Sequence, residues 1–451
     1  MNMKKLLYLP IIFLALFVSC RKDDITPEDN VPPVATPTIA EQARDALHVL
    51  MKEWYFWYKN LPAVTLTDYK DPYELMDALR YKPLDRWSFV ADYDSFIASM
   101  QGTFVGHGIR IRVDVQGKAR IATIYKNSPL YANGLINPRG VRRGWIIKSL
   151  NGADLAPIII AGNTSAYNDL IGPAVAGRIN TFVFQTPRGN DTTVITTKST
   201  FQVNSVMLYD TLTIKKVKTG HLVFDEFIQP SSEELKTTFA FFKAQDVKDL
   251  ILDLRYNGGG ILDVATELAS YIAGTAKFST PFIKSSYNDK KTSNNTTYNF
   301  KSITSPLNLN RLVVITTRAT ASASEEVING LKPHLTVTTI GDTTNGKPTG
   351  MNVWETTDKK YIFAPVTFEL VNSLGQGGYY AGFAPAKRVT DDITHDFNDK
   401  GELCFKEAIY FLENGIVSTK GSYTFNPSIQ FSEKPAWMNN LFIIDKSIYN
   451  K

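Results

Sequence analysis

The sequence predicts a multidomain α/β protein, and three observations carry that reading. The chain has 451 residues, 43% of them hydrophobic, which is enough for two or three buried cores. Its texture changes at about residue 102, from an aromatic-rich stretch with helical spacing over 40–101 to short β-branched runs broken by glycine turns over 102–202. From 203 to 415, apolar strand-like runs alternate with helical ones, the pattern of layered α/β packing.

At the N-terminus, Lys4-Lys5 precedes an apolar run over 6–18 that is too short to cross a membrane and fits the core of a signal peptide, placed at 1–19. Small residues ahead of Cys20 resemble a bacterial lipobox. The resemblance implies cleavage before Cys20, lipidation of its thiol and a membrane anchor, hence a cell-envelope lipoprotein of the outer membrane facing the periplasm or the cell surface. An ordinary signal peptide with an incidental cysteine is the other reading. Residues 20–39, with Pro32, Pro33 and Pro37, cannot bury a core and read as an extended tether.

The formal net charge is +5, spread along the chain rather than gathered on one face, which excludes nucleic acid as a partner. The second cysteine is Cys404, so lipidation of Cys20 leaves no intramolecular disulfide and no paired-cysteine zinc site. His48, His107, His221, His334 and His395 are scattered without HExxH spacing. No metal or other cofactor is expected.

Residues 40–101 read as a small N-terminal helical domain in which Trp54, Tyr55, Phe56, Trp57 and Tyr58 are core, and Asp71-Pro72 reads as the cap and first residue of a helix. Within 102–202, residues 109–113 and 119–125 alternate like half-buried strands. Ser128-Pro129, Ala132-Asn133-Gly134-Leu135, Arg143-Gly144-Trp145-Ile146-Ile147 and Leu150-Asn151-Gly152 follow in an order that resembles a bacterial PDZ domain. That resemblance makes Gly106-His107-Gly108-Ile109 a peptide-binding loop whose backbone N–H groups meet a C-terminal carboxylate. Between 203 and 415, strands are expected at 221–227, 250–254, 312–316 and 337–340, and helices at 232–242, 262–272 and 324–331. Residues 416–451 read as a polar and aromatic extension without a chemical signal.

Three segments carry chemistry. In the first, the strand 250–254 runs through Asp253, Arg255 and Asn257 into Gly258-Gly259-Gly260, where glycines let backbone N–H groups point outward. A P-loop would need Gly-Lys-Ser/Thr there, and Ile261-Leu262 stands instead. In the second, a strand at 312–316 gives way to a helix with Ser322 at the junction, where unpaired N–H groups and the positive end of the dipole favour an oxyanion. Taken alone, Ser322-Ala323-Ser324-Glu325 also matches a Ser-x-x-Glu capping box. The third is Gly346-Lys347 in a glycine-flanked turn after a strand. A serine needs a base, and a lysine stripped of water can serve.

Asp253-Leu254-Arg255-x-Asn257-x-Gly259-Gly260, Ala321-Ser322-Ala323-Ser324-Glu325 and Gly346-Lys347, in that order, resemble the signature blocks of the C-terminal processing (tail-specific) protease family. The resemblance implies a crotonase- or Clp-like α/β protease core behind the PDZ-like domain. It implies Ser322 as nucleophile, Lys347 as general base, and an oxyanion hole from the N–H groups of Gly259 and Ala323. The substrates implied are unstructured polypeptides with free C-termini; the oligomeric state is left open. Many members carry a glutamine four residues after the lysine, and Met351 stands there, with no donor and only a weak sulfur acceptor. Glu325 or backbone groups are left to orient the amine. The alternative is a catalytically weak or inactive envelope lipoprotein that binds peptide tails.

Overall fold

The computed structural model describes residues 36–132, 140–419, 421, 423–424, 430–434, 438 and 443–444. The signal peptide, Cys20, most of the tether and the Asn133-Gly134-Leu135 step lie outside them.

The run Leu250-Ile251-Leu252 is apolar without a break because its strand is covered on both faces. Asp249–Asp253 lies inside a six-stranded sheet in the order Val206–Ile214, Val217–Phe224, Asp249–Asp253, Arg311–Thr316, Val337–Gly341, Lys387–Arg388. Every pairing after the first hairpin is parallel, as crossover helices require. Leu250, Leu252, Leu312 and Val314 face one large core with the helices Ser231–Ala244, Leu262–Ala273 and Ala323–Leu331. Ile251, Val313, Ile315 and Ile340 face the opposite way, against Phe405, Ala408 and Leu412 of the helix Leu403–Asn414. The strands and helices expected over 203–415 form within a few residues of their predicted limits.

Residues 109–124 fold as expected into two antiparallel strands, Ile109–Val113 and Ala119–Ile124. These belong to a larger sheet with Ile146–Leu150, Ile179–Gln185 and Asp191–Thr197, packed on its own core of Ile111, Ile121, Leu150, Phe182 and Phe184. Asp71 caps the helix Pro72–Leu79, its carboxylate accepting from Glu74 N at 3.0 Å.

Two features differ from the sequence reading. The aromatic-rich segment does not close on itself: Ala43, Leu47, Tyr55, Leu75 and Trp87 share a core with Met351, Ile362 and Val366. Its strand Phe89–Asp92 pairs antiparallel with Tyr361–Ala364. Accordingly the described residues from Ile39 onward form one compact unit. Second, the C-terminal extension enters two sheets, through Gln430–Ser432 and Ile443–Ile444. Among the described residues, no helix is long and apolar enough to cross a membrane, and no cluster of potential metal ligands forms.

Candidate active site

Asp249–Asp253 and Arg311–Thr316 are neighbouring parallel strands, so the loops leaving their carboxyl ends emerge side by side, where open α/β sheets place their sites. The two loops are stitched together. Thr320 Oγ1 donates to Leu254 O at 2.7 Å, and Ala321 N donates to Asn257 O at 3.1 Å. A third loop, after Val337–Gly341, joins through Asn345 N, which donates to Thr320 O at 2.9 Å. The three sequence blocks therefore meet at one edge of the sheet.

Ser322 sits at the entry to the helix Ala323–Leu331 with φ 57° and ψ −116°. That conformation costs a non-glycine residue about 1–3 kcal/mol and is held only by its surroundings. Gly259 supplies the room: a Cβ there would lie 2.9 Å from Ser322 Cβ and 3.0 Å from Ala323 N, on a backbone at φ +105°. The Ser322 hydroxyl is buried and makes no hydrogen bond among the described residues. It stands in capping-box position over the Glu325 N–H without closing a hydrogen bond to it. Ser324, by contrast, donates its hydroxyl to Asn257 O at 3.1 Å. Of the two serines, only Ser322 keeps an uncommitted Oγ.

Glu325 performs half of the capping box and more. Its Oε2 accepts from Ser322 N at 2.9 Å and from Lys347 N at 2.8 Å. Its Oε1 accepts from Gly346 N at 2.7 Å and from Thr344 Oγ1 at 2.5 Å. Burial pushes this carboxyl upward in pKa, and these four donors oppose the shift by stabilising the anion. One side chain thereby fixes the serine junction to the lysine loop.

Lys347 is fully buried. Its Nζ lies 3.7 Å from Met351 Sδ and 5.8 Å from the centre of the Trp87 ring. Burial drives its pKa well below the ordinary lysine value, against the opposing charges of Asp85 and Glu325. Asn352, next to Met351, is turned elsewhere, its Oδ1 accepting from Thr367 Oγ1 at 2.8 Å.

The remaining expected residues divide into three groups. Asn257 bridges the loops: its Nδ2 donates to Phe224 O at 3.0 Å and its Oδ1 accepts from Gly259 N at 2.9 Å. The Gly259 amide is therefore engaged in this state, whereas Ala323, as the first helical residue, has an N–H without an intrahelical acceptor. Asp253 and Arg255 stand back from the serine. The guanidinium spans Asp253 (Nη2–Oδ2 2.7 Å), Glu402 (Nη1–Oε1 2.9 Å) and Asp391 (Nη1–Oδ1 3.1 Å), locking the glycine loop to the helix Leu403–Asn414. Gly106, His107, Gly108 and Ile109 belong to a different surface, the β-rich sheet. The His107 ring points inward, its Nε2 at 2.8 Å from Asn180 Oδ1, while Gly106, Gly108 and Ile109 line a groove.

A cleft of about 280 Å³ opens beside the site, lined by Tyr256, Gly258, Gly259, Gly260, Arg318 and Asn345 among others. Ser322 and Lys347 are themselves buried. Sequence reasoning missed Asp85 and Trp87, which reach the lysine from the N-terminal segment. Asp85 accepts from Trp87 N and Ser88 N, both at 2.9 Å. This pattern is legible as a turn, but nothing in it announces a distant amine.

Residues 218–376 match the model of peptidase family S41, and residues 45–89 match the peptidase S41 N-terminal domain. A Staphylococcus epidermidis protein described as a CtpA-like serine protease is 26% identical over 283 residues, 62% of this chain and 52% of the relative. Carboxyl-terminal-processing peptidase 3, chloroplastic, of Arabidopsis thaliana is 22% identical over 343 residues, 70% of this chain and 60% of the relative. The chain thus spans about half the length of the curated relatives it matches. The solved structure of an S41 protease from Bacteroides fragilis NCTC 9343 covers 86% of this chain and 100% of its own, at 22% identity and a TM-score of 0.66, and shares its fold.

Proposed function

The chain belongs to the C-terminal processing protease family, and from that premise we propose that it is a serine endopeptidase with a Ser322–Lys347 dyad. The observation that carries the reading is the convergence on Glu325: an uncommitted hydroxyl and a desolvated amine branch from two backbone N–H groups bound to one carboxylate oxygen.

In this reading Lys347 Nζ takes the proton of Ser322 Oγ as Oγ bonds to the scissile carbonyl carbon. The Ala323 N–H meets the oxyanion, and the Gly259 N–H joins it by exchanging Asn257 Oδ1 for the new oxygen. Collapse breaks the C–N bond and returns the proton from Nζ to the leaving amine. Water, deprotonated by Lys347 Nζ, then attacks the acyl-serine, and as the ester C–O bond breaks Nζ returns the proton to Ser322 Oγ. The β-rich sheet acts as a PDZ-like domain that holds a substrate's C-terminus at Gly106-His107-Gly108-Ile109, and the α/β portion is the crotonase- or Clp-like core. A lipid on Cys20 anchors the protein to the cell envelope.

The burial of both Ser322 and Lys347 implies that a substrate must open the site before it reacts. Wild type and Ser322→Ala are compared on an unfolded protein with a free C-terminus, products being read by mass spectrometry. Cleavage that survives the substitution refutes the dyad. The thioether of Met351 beside Nζ favours a second reading, a tail-binding protein with weak or no turnover. Tail-peptide binding with no products from purified wild type would select it.

A further inference from the structure

Two described pieces of the C-terminal extension, Gln430–Ser432 and Ile443–Ile444, lie on the two surfaces where a polypeptide would be read. The first is the groove of the β-rich sheet. Gln430–Ser432 adds antiparallel to the edge strand Ile109–Val113, with Gln430 opposite Arg112, Phe431 opposite Ile111 and Ser432 opposite Arg110. Phe431 is buried and meets the Tyr167 ring edge-on at 5.1 Å. The chain then reaches the glycine loop, where the Glu433 carboxylate accepts from His107 N at 2.5 Å and Gly108 N at 3.3 Å. Lys198, itself buried, stands 3.1 Å from the other oxygen. Gly108 (φ +77°) is irreplaceable here, since a Cβ would fall 2.0 Å from Ser128 Cβ. A side-chain carboxylate thus sits where backbone amides and a lysine are aimed at an anion.

The second surface is beside the serine. Ile443–Ile444 forms a strand between Gly260–Ile261 and Thr349–Met351, with Ile443 opposite Gly260 and Ile444 opposite both Ile261 and Met351. Its neighbours are the backbone that continues from Gly259 and the backbone that continues from Lys347. Without it, those two edges face each other across two strand spacings, about 9–10 Å. Such a slot accepts one extended peptide by main-chain hydrogen bonding.

We infer that residues 430–433 and Ile443–Ile444 are built-in occupants of the two surfaces, with Glu433 standing in for a C-terminal carboxylate, and that a polypeptide engages by exchanging with them. The groove half stands on its own contacts; the slot half rests on the protease reading. Exchange explains how a closed resting structure admits an extended chain without unfolding, because the ladder bonds lost by the tail are remade by the incoming strand.

The test uses the full chain carrying Ser322→Ala, so that no probe is cleaved. The probe is a fluorescent hexapeptide copying residues 427–432, in two forms: free C-terminal acid and C-terminal amide. By anisotropy, adding Glu433→Gln is expected to tighten binding of the acid form at least tenfold and leave the amide form weak. In the chain with Glu433 intact, saturating acid peptide is expected to speed hydrogen exchange at Gln430–Ser432. Equal acid binding by both chains, or unchanged exchange at 430–432, overturns the groove half. For the slot, Ile444→Pro in the Ser322-intact chain removes a ladder donor and is expected to raise hydrolysis of an unfolded protein severalfold. An unchanged or lower rate, with wild-type hydrolysis present, overturns that half. Peptide exchange in a chain that never hydrolyses would instead sink the protease reading alone.

Discussion

The backbone N–H groups of Ser322 and Lys347 donate to the same oxygen, Glu325 Oε2, at 2.9 and 2.8 Å. A glutamine cannot reproduce this. Its one carbonyl oxygen replaces only one carboxylate oxygen, and its NH2 would confront the donors at the other. Hydrogen bonds to a charged group contribute about 1.5–3 kcal/mol each. Glu325→Gln is therefore expected to lower Tm by several degrees and to cut kcat roughly 10–100-fold, with KM little changed, if the group positions the proposed dyad without touching substrate. A kcat within twofold of wild type would remove Glu325 from that role.

The pH profile follows from the burial of Lys347. Its folded pKa is depressed, so the amine is deprotonated at lower pH than an ordinary lysine, and the rising limb of kcat/KM must lie well below pH 10.5. The carboxylates of Asp85 and Glu325 pull the other way by favouring the ammonium. Asp85→Asn removes one of them while keeping the shape of a side chain that accepts from Trp87 N and Ser88 N. The limb is expected to move toward acid. A shift toward alkali, seen in a kcat/KM profile from pH 5 to 10, would contradict the assignment of that limb to Lys347.

Much of this was legible in the sequence, for identifiable reasons. The unbroken apolar run at 250–252 and its counterpart at 312–315 read as strands of a layered α/β core, and both strands form, covered on both faces. Glycines at 258–260 marked a loop where backbone comes close to backbone, and Gly259 abuts Ser322. What stayed hidden were relations between distant segments. Asp85 reaches Lys347 across more than 250 positions, and no periodicity encodes that. Gln430–Ser432 and Ile443–Ile444 are too short to register as strands, since their pairing partners rather than their own composition make them so. The capping-box match at Ser322 holds in arrangement, with Glu325 accepting from Ser322 N, while the serine hydroxyl closes no hydrogen bond within the cap.

The backbone of Ser322 gives a prediction in which stability and activity part company. At φ 57° and ψ −116° a Cβ is a burden that glycine lacks. Ser322→Gly is expected to gain about 1 kcal/mol from relieved strain, less what glycine loses in unfolded-state entropy. It should melt at or above wild type, while Ser322→Thr, branched at Cβ, should melt several degrees lower; neither should hydrolyse substrate with wild-type kcat. A clear loss of Tm in Ser322→Gly would mean that the hydroxyl holds structure rather than chemistry.

Glu326, next to Glu325 in sequence, sets a pH dependence of folding that is separate from the proposed catalysis. It is fully buried, with Tyr379 OH donating to its Oε1, and burial pushes its pKa up to about 8, the nearby charges of Glu325 and Glu369 adding to the shift. The folded chain therefore holds a proton here that the unfolded chain, near 4.5, has already released. Between those values the folded state binds more protons, so its stability falls as pH rises, with a slope approaching about 1.4 kcal/mol per pH unit. The stabilising contribution is complete below pH 4.5 and gone above 8. Glu326→Gln removes this titration at the cost of a buried amide whose second group lacks a partner, about 1–3 kcal/mol at any pH. The Tm of the variant relative to wild type is thus expected to climb by several degrees from pH 5 to pH 9, whatever its starting offset. Parallel melting curves across that range would show that Glu326 is already ionised in the folded protein, and its neighbourhood to Glu325 would then have to be balanced by a cation.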